Sequence, residues 1–72
     1  FPNPAQTQVR IEAESDIKSV KVYDMLGNLV ESLSANSNTL DVNLSHRSNG
    51  VYLVNVVESN GRVHNMRVIV AH

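Results

Sequence analysis

The 72-residue chain predicts an all-β fold, a small antiparallel β-sandwich of about six to seven strands, on three observations. Runs of about five to nine residues rich in Val, Ile, Leu and Tyr recur along its length, separated by turn-forming clusters roughly every 8–12 residues. Several of these runs alternate apolar and polar side chains with a period of two, the pattern of a strand with one buried face. No apolar pattern with a 3.6-residue period is sustained long enough to make a helix. Two sheets are needed to cover each other's apolar faces, which favours a sandwich; a small open barrel is the alternative architecture.

The chain starts Phe1, Pro2, Asn3, Pro4. Each proline fixes its own φ and drives the preceding residue out of the helical region, so the segment is extended. It reads either as a seventh strand docked on a sheet edge, with Phe1 plugging one end of the core, or as the remnant of a linker. Residues 8–13 alternate, with Val9, Ile11 and Ala13 on one side and Arg10 and Glu12 on the other. Glu14, Ser15 and Asp16 interrupt them, and a second strand follows with Val20 and Val22 inward and Ser19 and Lys21 outward. At 23–28 a turn is expected, because Asp24 accepts from nearby backbone N–H groups and Gly27 tolerates a positive φ. Residues 29–33 form a third strand and the polar run 34–38 a loop. In the fourth, Leu40, Val42 and Leu44 alternate with Asp41 and Asn43 before a second polar loop that closes on Asn49 and Gly50.

The strongest local signal is the final hairpin. Residues 51–57 are almost wholly apolar and β-branched, Asn60 and Gly61 make a turn dipeptide, and 63–71 resume the alternation. A two-residue turn would place Tyr52 on a face with Asn65 and Arg67 as well as Ile69. A type I turn at Ser59 and Asn60, with Gly61 left-handed in a bulge, instead aligns Tyr52, Val54 and Val56 with Val68, Met66 and His64. The bulged register is preferred, and it sets Glu58 opposite Arg62 as an opposite-charge pair at the rim. Both faces of these two strands carry apolar residues, which favours central positions or an interface over an exposed edge.

A chain this short buries only about 60% of the surface its unfolded form exposes, so it gains from attachment to something larger. The absence of a starting Met suggests a piece of a longer polypeptide, residues 1–72 forming one domain. There are no cysteines to form disulfides or thiolate metal sites. Six basic and seven acidic residues are scattered singly, net charge −1, which leaves no electrostatic footprint for nucleic acid or an anionic membrane. His46, His64 and His72 fall in three segments without the paired spacing of metal ligands, so His64 reads as a rim residue. The serines sit mostly in turns, the three glycines are isolated, and three aromatics are too few for a stacking platform. No cofactor is called for, and the chain is not expected to be an enzyme.

Three blocks carry a family resemblance: the opening F-P-N-P-A, the central V-K-V-Y-D-M-L-G-N-L-V, and L-S-H-R-S-N-G-V-Y-L-V followed by N-G-R-V-H-N-M-R-V-I-V. In this order they resemble the C-terminal sorting domain of the type IX secretion system over the whole chain. That resemblance implies an immunoglobulin-like β-sandwich acting as a non-catalytic targeting signal, carried by a cargo through the periplasm to the cell surface or medium of a Gram-negative bacterium. It implies as partners an upstream cargo domain, an outer-membrane translocon with its shuttle protein, and in many cargos a surface sortase that removes the domain and anchors the cargo to lipopolysaccharide.

By the same resemblance Phe1, Pro2, Asn3 and Pro4 match the opening motif, Tyr23, Asp24 and Gly27 the central turn, and Gly50, Tyr52 and Gly61 the closing one, all mainly structural. Arg67, Val68, Ile69, Val70, Ala71 and His72 match the segment used for recognition. Arg47 stands where an apolar residue is commoner, which should expose its loop, and the ending has less positive charge than the usual Lys-containing tail. A terminal strand with unpaired edge groups can add to a receptor's sheet, or pair copies into an edge-strand homodimer. The alternative from another class is a passive immunoglobulin-like or fibronectin-like accessory or adhesion module, indifferent to its own C-terminus.

Overall fold

The computed structural model describes residues 8–71. The docked edge segment expected for Phe1, Pro2, Asn3 and Pro4, and the last residue, His72, lie outside the described residues. Six strands follow in order: β1 (Gln8–Glu12), β2 (Ile17–Tyr23), β3 (Leu29–Leu33), β4 (Thr39–Asn43), β5 (Gly50–Glu58) and β6 (Val63–Val70). They form two antiparallel sheets, one of order β1-β4 and one of order β3-β2-β5-β6. That is the immunoglobulin-like arrangement, with β1 and β4 as the B and E strands facing a C′-C-F-G sheet.

The core lies between the layers. Ile11 and Val42 from the small sheet, with Leu44 just beyond it, meet Val20, Val22, Val54, Val56, Tyr52 and Val70 from the large one. Alternation built this interior: in β2 and β5 the even-numbered residues face in, and Val20 stands opposite Val56 and Val22 opposite Val54. On the outer side of the small sheet Arg10 meets Glu12 at 3.1 Å and Asp41 at 3.5 Å, exposed contacts that add little stability.

Two irregularities break the period of two. Between Ile17 and Ser19 the β2–β5 register shifts, so odd-numbered Ile17 turns inward opposite Glu58 and is fully buried. Alternation alone starts that strand at Ser19 and misses Ile17, because a bulge inserts a residue without changing composition. A second shift between Val22 and Tyr23 lets Tyr23 pair with Leu29 and leaves Val30 as the extra residue.

The final hairpin has the bulged register. Tyr52 pairs with Val68, Val54 with Met66 and Val56 with His64. Gly61 N–H donates to the Glu58 carbonyl at 2.9 Å, and Gly61 has φ 92°, where a side chain would be strained. Position within the sheet divides the hairpin: β5 is central, as expected, whereas β6 is an edge strand. The apolar residues on the outer parity of β6 therefore face solvent, Val63 being 54% and Ile69 63% exposed.

Tyr52 closes one end of the sandwich. Its ring is buried among the core residues while its hydroxyl donates to the Ser48 carbonyl at 2.8 Å, four residues upstream. This is the tyrosine corner of immunoglobulin-like sandwiches, tying the loop before β5 to the core. Tyr52→Phe should cost about 1 kcal/mol and Ile17→Ala about 2–5 kcal/mol, read from urea melts of the isolated domain; equal, negligible effects would contradict the packing described.

Candidate functional site

Among the described residues, Tyr23, Asp24, Gly27, Gly50 and Tyr52 fall at one end of the large sheet and residues 67–71 along its β6 edge, whereas Gly61 lies in the hairpin turn at the opposite end. In β6 the pairing with β5 sets backbone direction. Glu58 N–H donates to the Arg62 carbonyl at 2.9 Å, and from that bonded pair the even-numbered residues of β6 turn their amides toward β5. The odd-numbered ones, Asn65, Arg67 and Ile69, direct N–H and C=O away from the sheet. Among the described residues no strand pairs with β6 on that side. Side chains follow the same alternation. Val70 is 1% exposed, opposite Gly50, and Val68 is half-buried, whereas Arg67, Ile69 and Ala71 are exposed.

At the same end of the sheet, against the start of β5, sits the turn between β2 and β3. Asp24 Oδ1 accepts from the backbone N–H of Leu26 and of Asn28, each at 2.9 Å, and Oδ2 accepts from the Asn28 side-chain amide at 3.3 Å. Gly27 completes the turn with φ 87° and donates its N–H to the Asp24 carbonyl at 3.0 Å. The Asn28 N–H is the main cause that holds the Asp24 carboxyl below its usual range. The aspartate and glycine of the central motif thus hold one rigid loop. Tyr23 is half-buried on the outer face, next to Leu29 and Leu53.

Across the adjacent loop, Arg47 corrects an expectation. Ser45, His46, Ser48 and Asn49 are exposed, yet Arg47 itself folds back, its side chain 28% exposed. Its guanidinium donates to the Val30 carbonyl and to Glu31 Oε1, the latter at 2.7 Å, with His46 Nε2 3.3 Å from the same carboxylate oxygen. A cation in place of an apolar residue is accommodated because the irregular β3 edge offers it both a carbonyl and a carboxylate.

At the opposite end lies a buried carboxylate that sequence reasoning missed. Glu58, expected at the rim facing Arg62, is 2% exposed. Its backbone does oppose Arg62, but its side chain turns inward. Glu58 Oε1 accepts from Ser15 N–H and Ser15 Oγ, each at 3.0 Å, and Oε2 pairs with His64 Nε2. Arg62 instead reaches toward Glu14 at 3.9 Å, an exposed contact. His64 is a rim residue as expected, with its side chain 48% exposed, and its ring caps the carboxylate. The signal that could have found this is parity, since Glu58 shares the inward face of Tyr52, Val54 and Val56.

Among the described residues no group of three His, Cys, Asp or Glu is placed to hold a metal ion. Nor is any helix long and apolar enough to cross a membrane.

A family model described as "Secretion system C-terminal sorting domain" matches residues 1–71. No curated protein and no solved structure matches the chain.

The hydrogen bond from His64, followed by those from Ser15, depresses the Glu58 pKa to about 2 against the opposing effect of burial. A folded-state value below the unfolded one adds stability above the ordinary glutamate range and loses it as pH falls through the folded value. Melting temperature should therefore drop between about pH 5 and pH 2. In Glu58→Gln that drop should be shallower, the remainder reflecting Asp24; an unchanged slope would show that Glu58 does not govern it.

Proposed function

Because this chain belongs to the type IX secretion system C-terminal sorting domain family, we propose that it is the address of an exported cargo, read by an outer-membrane translocon and its shuttle protein through the exposed edge of β6. The domain travels with an upstream cargo through the periplasm and delivers it to the cell surface or the medium. A surface sortase then removes it from the cargo. The domain performs no chemistry of its own.

The family match spanning residues 1–71 is the observation that carries this assignment. The position of β6 supports the route of recognition. An edge strand offers a receptor a row of backbone donors and acceptors, and alternate side chains give that pairing specificity. Here the outward row belongs to Asn65, Arg67 and Ile69, within or beside the segment 67–72. Val70 anchors the strand from within, so the edge is presented by a packed scaffold rather than by a loose tail.

The test fuses the chain to a periplasmic reporter in a bacterium that carries the machinery and measures reporter at the cell surface. Deleting residues 67–72 should abolish export, but it also removes the buried Val70. Ile69→Pro is the cleaner variant: it deletes an outward N–H without breaking the β5–β6 ladder, so the fold should persist while export fails. Ile69→Val should be exported normally. A passive immunoglobulin-like module would be indifferent to all three, and normal export of Ile69→Pro would refute recognition through this edge.

A further inference from the structure

On the outer face of the large sheet a polar row separates two ends that carry exposed apolar side chains, Val63 toward the hairpin turn and Leu29, Leu53 and Ile69 toward the β6 C-terminus. In the middle, one row across all four strands is polar: Ser32, Lys21, Asn55 and Asn65, with the Asn55 amide donating to Asn65 Oδ1 at 2.9 Å. Two residues toward the end that carries the β6 C-terminus, the corresponding row is Leu29, Tyr23, Leu53 and Arg67. Beyond it Val51 pairs with Ile69, and Met25 and Leu26 of the β2–β3 turn line one hollow with Gly50 and Val51 at the start of β5. On the same strands of the same face, one row is built for water and the next is not.

Burial does not explain the apolar choice. Leu29 is 53% exposed, Leu53 44%, Ile69 63%, and in the turn Met25 is 67% and Leu26 86% exposed. The turn places no demand for apolar residues at 25 and 26, since Asp24, Gly27 and Asn28 make its hydrogen bonds. A rigid loop that holds Met25 and Leu26 out into solvent, beside an exposed apolar row, has the character of an interaction surface.

Charge decides what could cover it. The described residues on this outer face include two charged side chains, Lys21 and Arg67, both positive. Arg67 forms no ion pair among the described residues. A second copy docked face to face would bring the Lys21 and Arg67 cations together, and the Asp24 carboxylate of the adjoining turn is already engaged by the backbone N–H groups of Leu26 and Asn28. A partner with an apolar surface that presents a carboxylate to Arg67 meets both demands.

We propose that the receptor-binding surface extends from the β6 edge across the apolar row, with Leu26, Leu29 and Leu53 as its contacts beyond the terminal strand, and that its occupant is a component of the secretion machinery bearing an acidic group within an apolar patch. This rests on the address reading above, and it makes the edge and the adjoining face one continuous footprint. The edge contributes main-chain pairing and the face contributes buried apolar contact.

The test uses the same reporter fusion with Leu26→Asn, Leu29→Asn and Leu53→Asn combined, a variant that leaves the terminal strand intact. The control, Lys21→Ala with Ser32→Thr and Asn55→Thr, alters the polar row without touching β6. The leucine variant should melt within about 4 °C of the parent, since all three side chains are surface-exposed. Its surface export should fall about tenfold or more, while the control exports like the parent. Normal export of the leucine variant alongside failure of Ile69→Pro would overturn this inference and leave the address reading standing. Normal export of Ile69→Pro as well would overturn both. Sedimentation of the purified domain should show a monomer; a dimer that the leucine variant dissolves would mean that the face serves self-association, and would also overturn the proposal.

Discussion

The left-handed glycine at position 61 sets the register on which the rest of the molecule depends. A strand slipped by one residue presents its other face, so the choice between a two-residue turn and a bulged one decides every inward side chain of the hairpin. With Gly61 in the bulge, Tyr52, Val54, Val56 and Val70 join the core, and Arg67 and Ile69 face out. The same register sends Glu58 inward and leaves the odd-numbered backbone groups of β6 along the open edge. One tolerated φ thus fixes core, buried carboxylate and open edge together.

The two ends of the sandwich are tied by different means. At the hairpin-turn end, polar bonds do the tying: Ser15 and His64 converge on Glu58, Ser59 N–H donates to the Asp16 carbonyl at 2.7 Å, and Ile17 N–H donates to the Ser37 carbonyl at 2.9 Å. Three turns and a strand are joined there, and a carboxylate so placed is tolerable only because both its oxygens are occupied. At the other end the Tyr52 hydroxyl and the Asp24 carboxylate organise the loops, and apolar side chains stay in water. Each end binds its loops locally, so the surface beside the β6 C-terminus stands on rigid supports.

That rigidity bears on how a domain this small can serve as a signal. A flexible tail would lose conformational entropy on binding, whereas a strand already extended and held by buried Val70 loses little. The Tyr52 hydroxyl and the Asp24 carboxylate hold the loops at this end of the sheet by bonds to their backbone.

Much of the fold was legible in the sequence because its determinants are local. Period-two alternation and short apolar, β-branched runs marked all six strands, Asp24 and Gly27 marked a turn, and the bulged turn at Ser59, Asn60 and Gly61 favoured the observed hairpin register. The motif blocks led to the family that the match over residues 1–71 establishes. Pairings between distant segments decided the remainder. The bulge that turns Ile17 inward appears only when β2 meets β5; Glu58 is buried because the loop at Ser15 folds over it; Arg47 leaves its loop because β3 offers acceptors. The sheet order made β6 an edge and gathered Leu29, Tyr23, Leu53 and Arg67 into one row with Ile69 beyond it, since neighbours across a sheet are set by strand pairing and not by proximity along the chain.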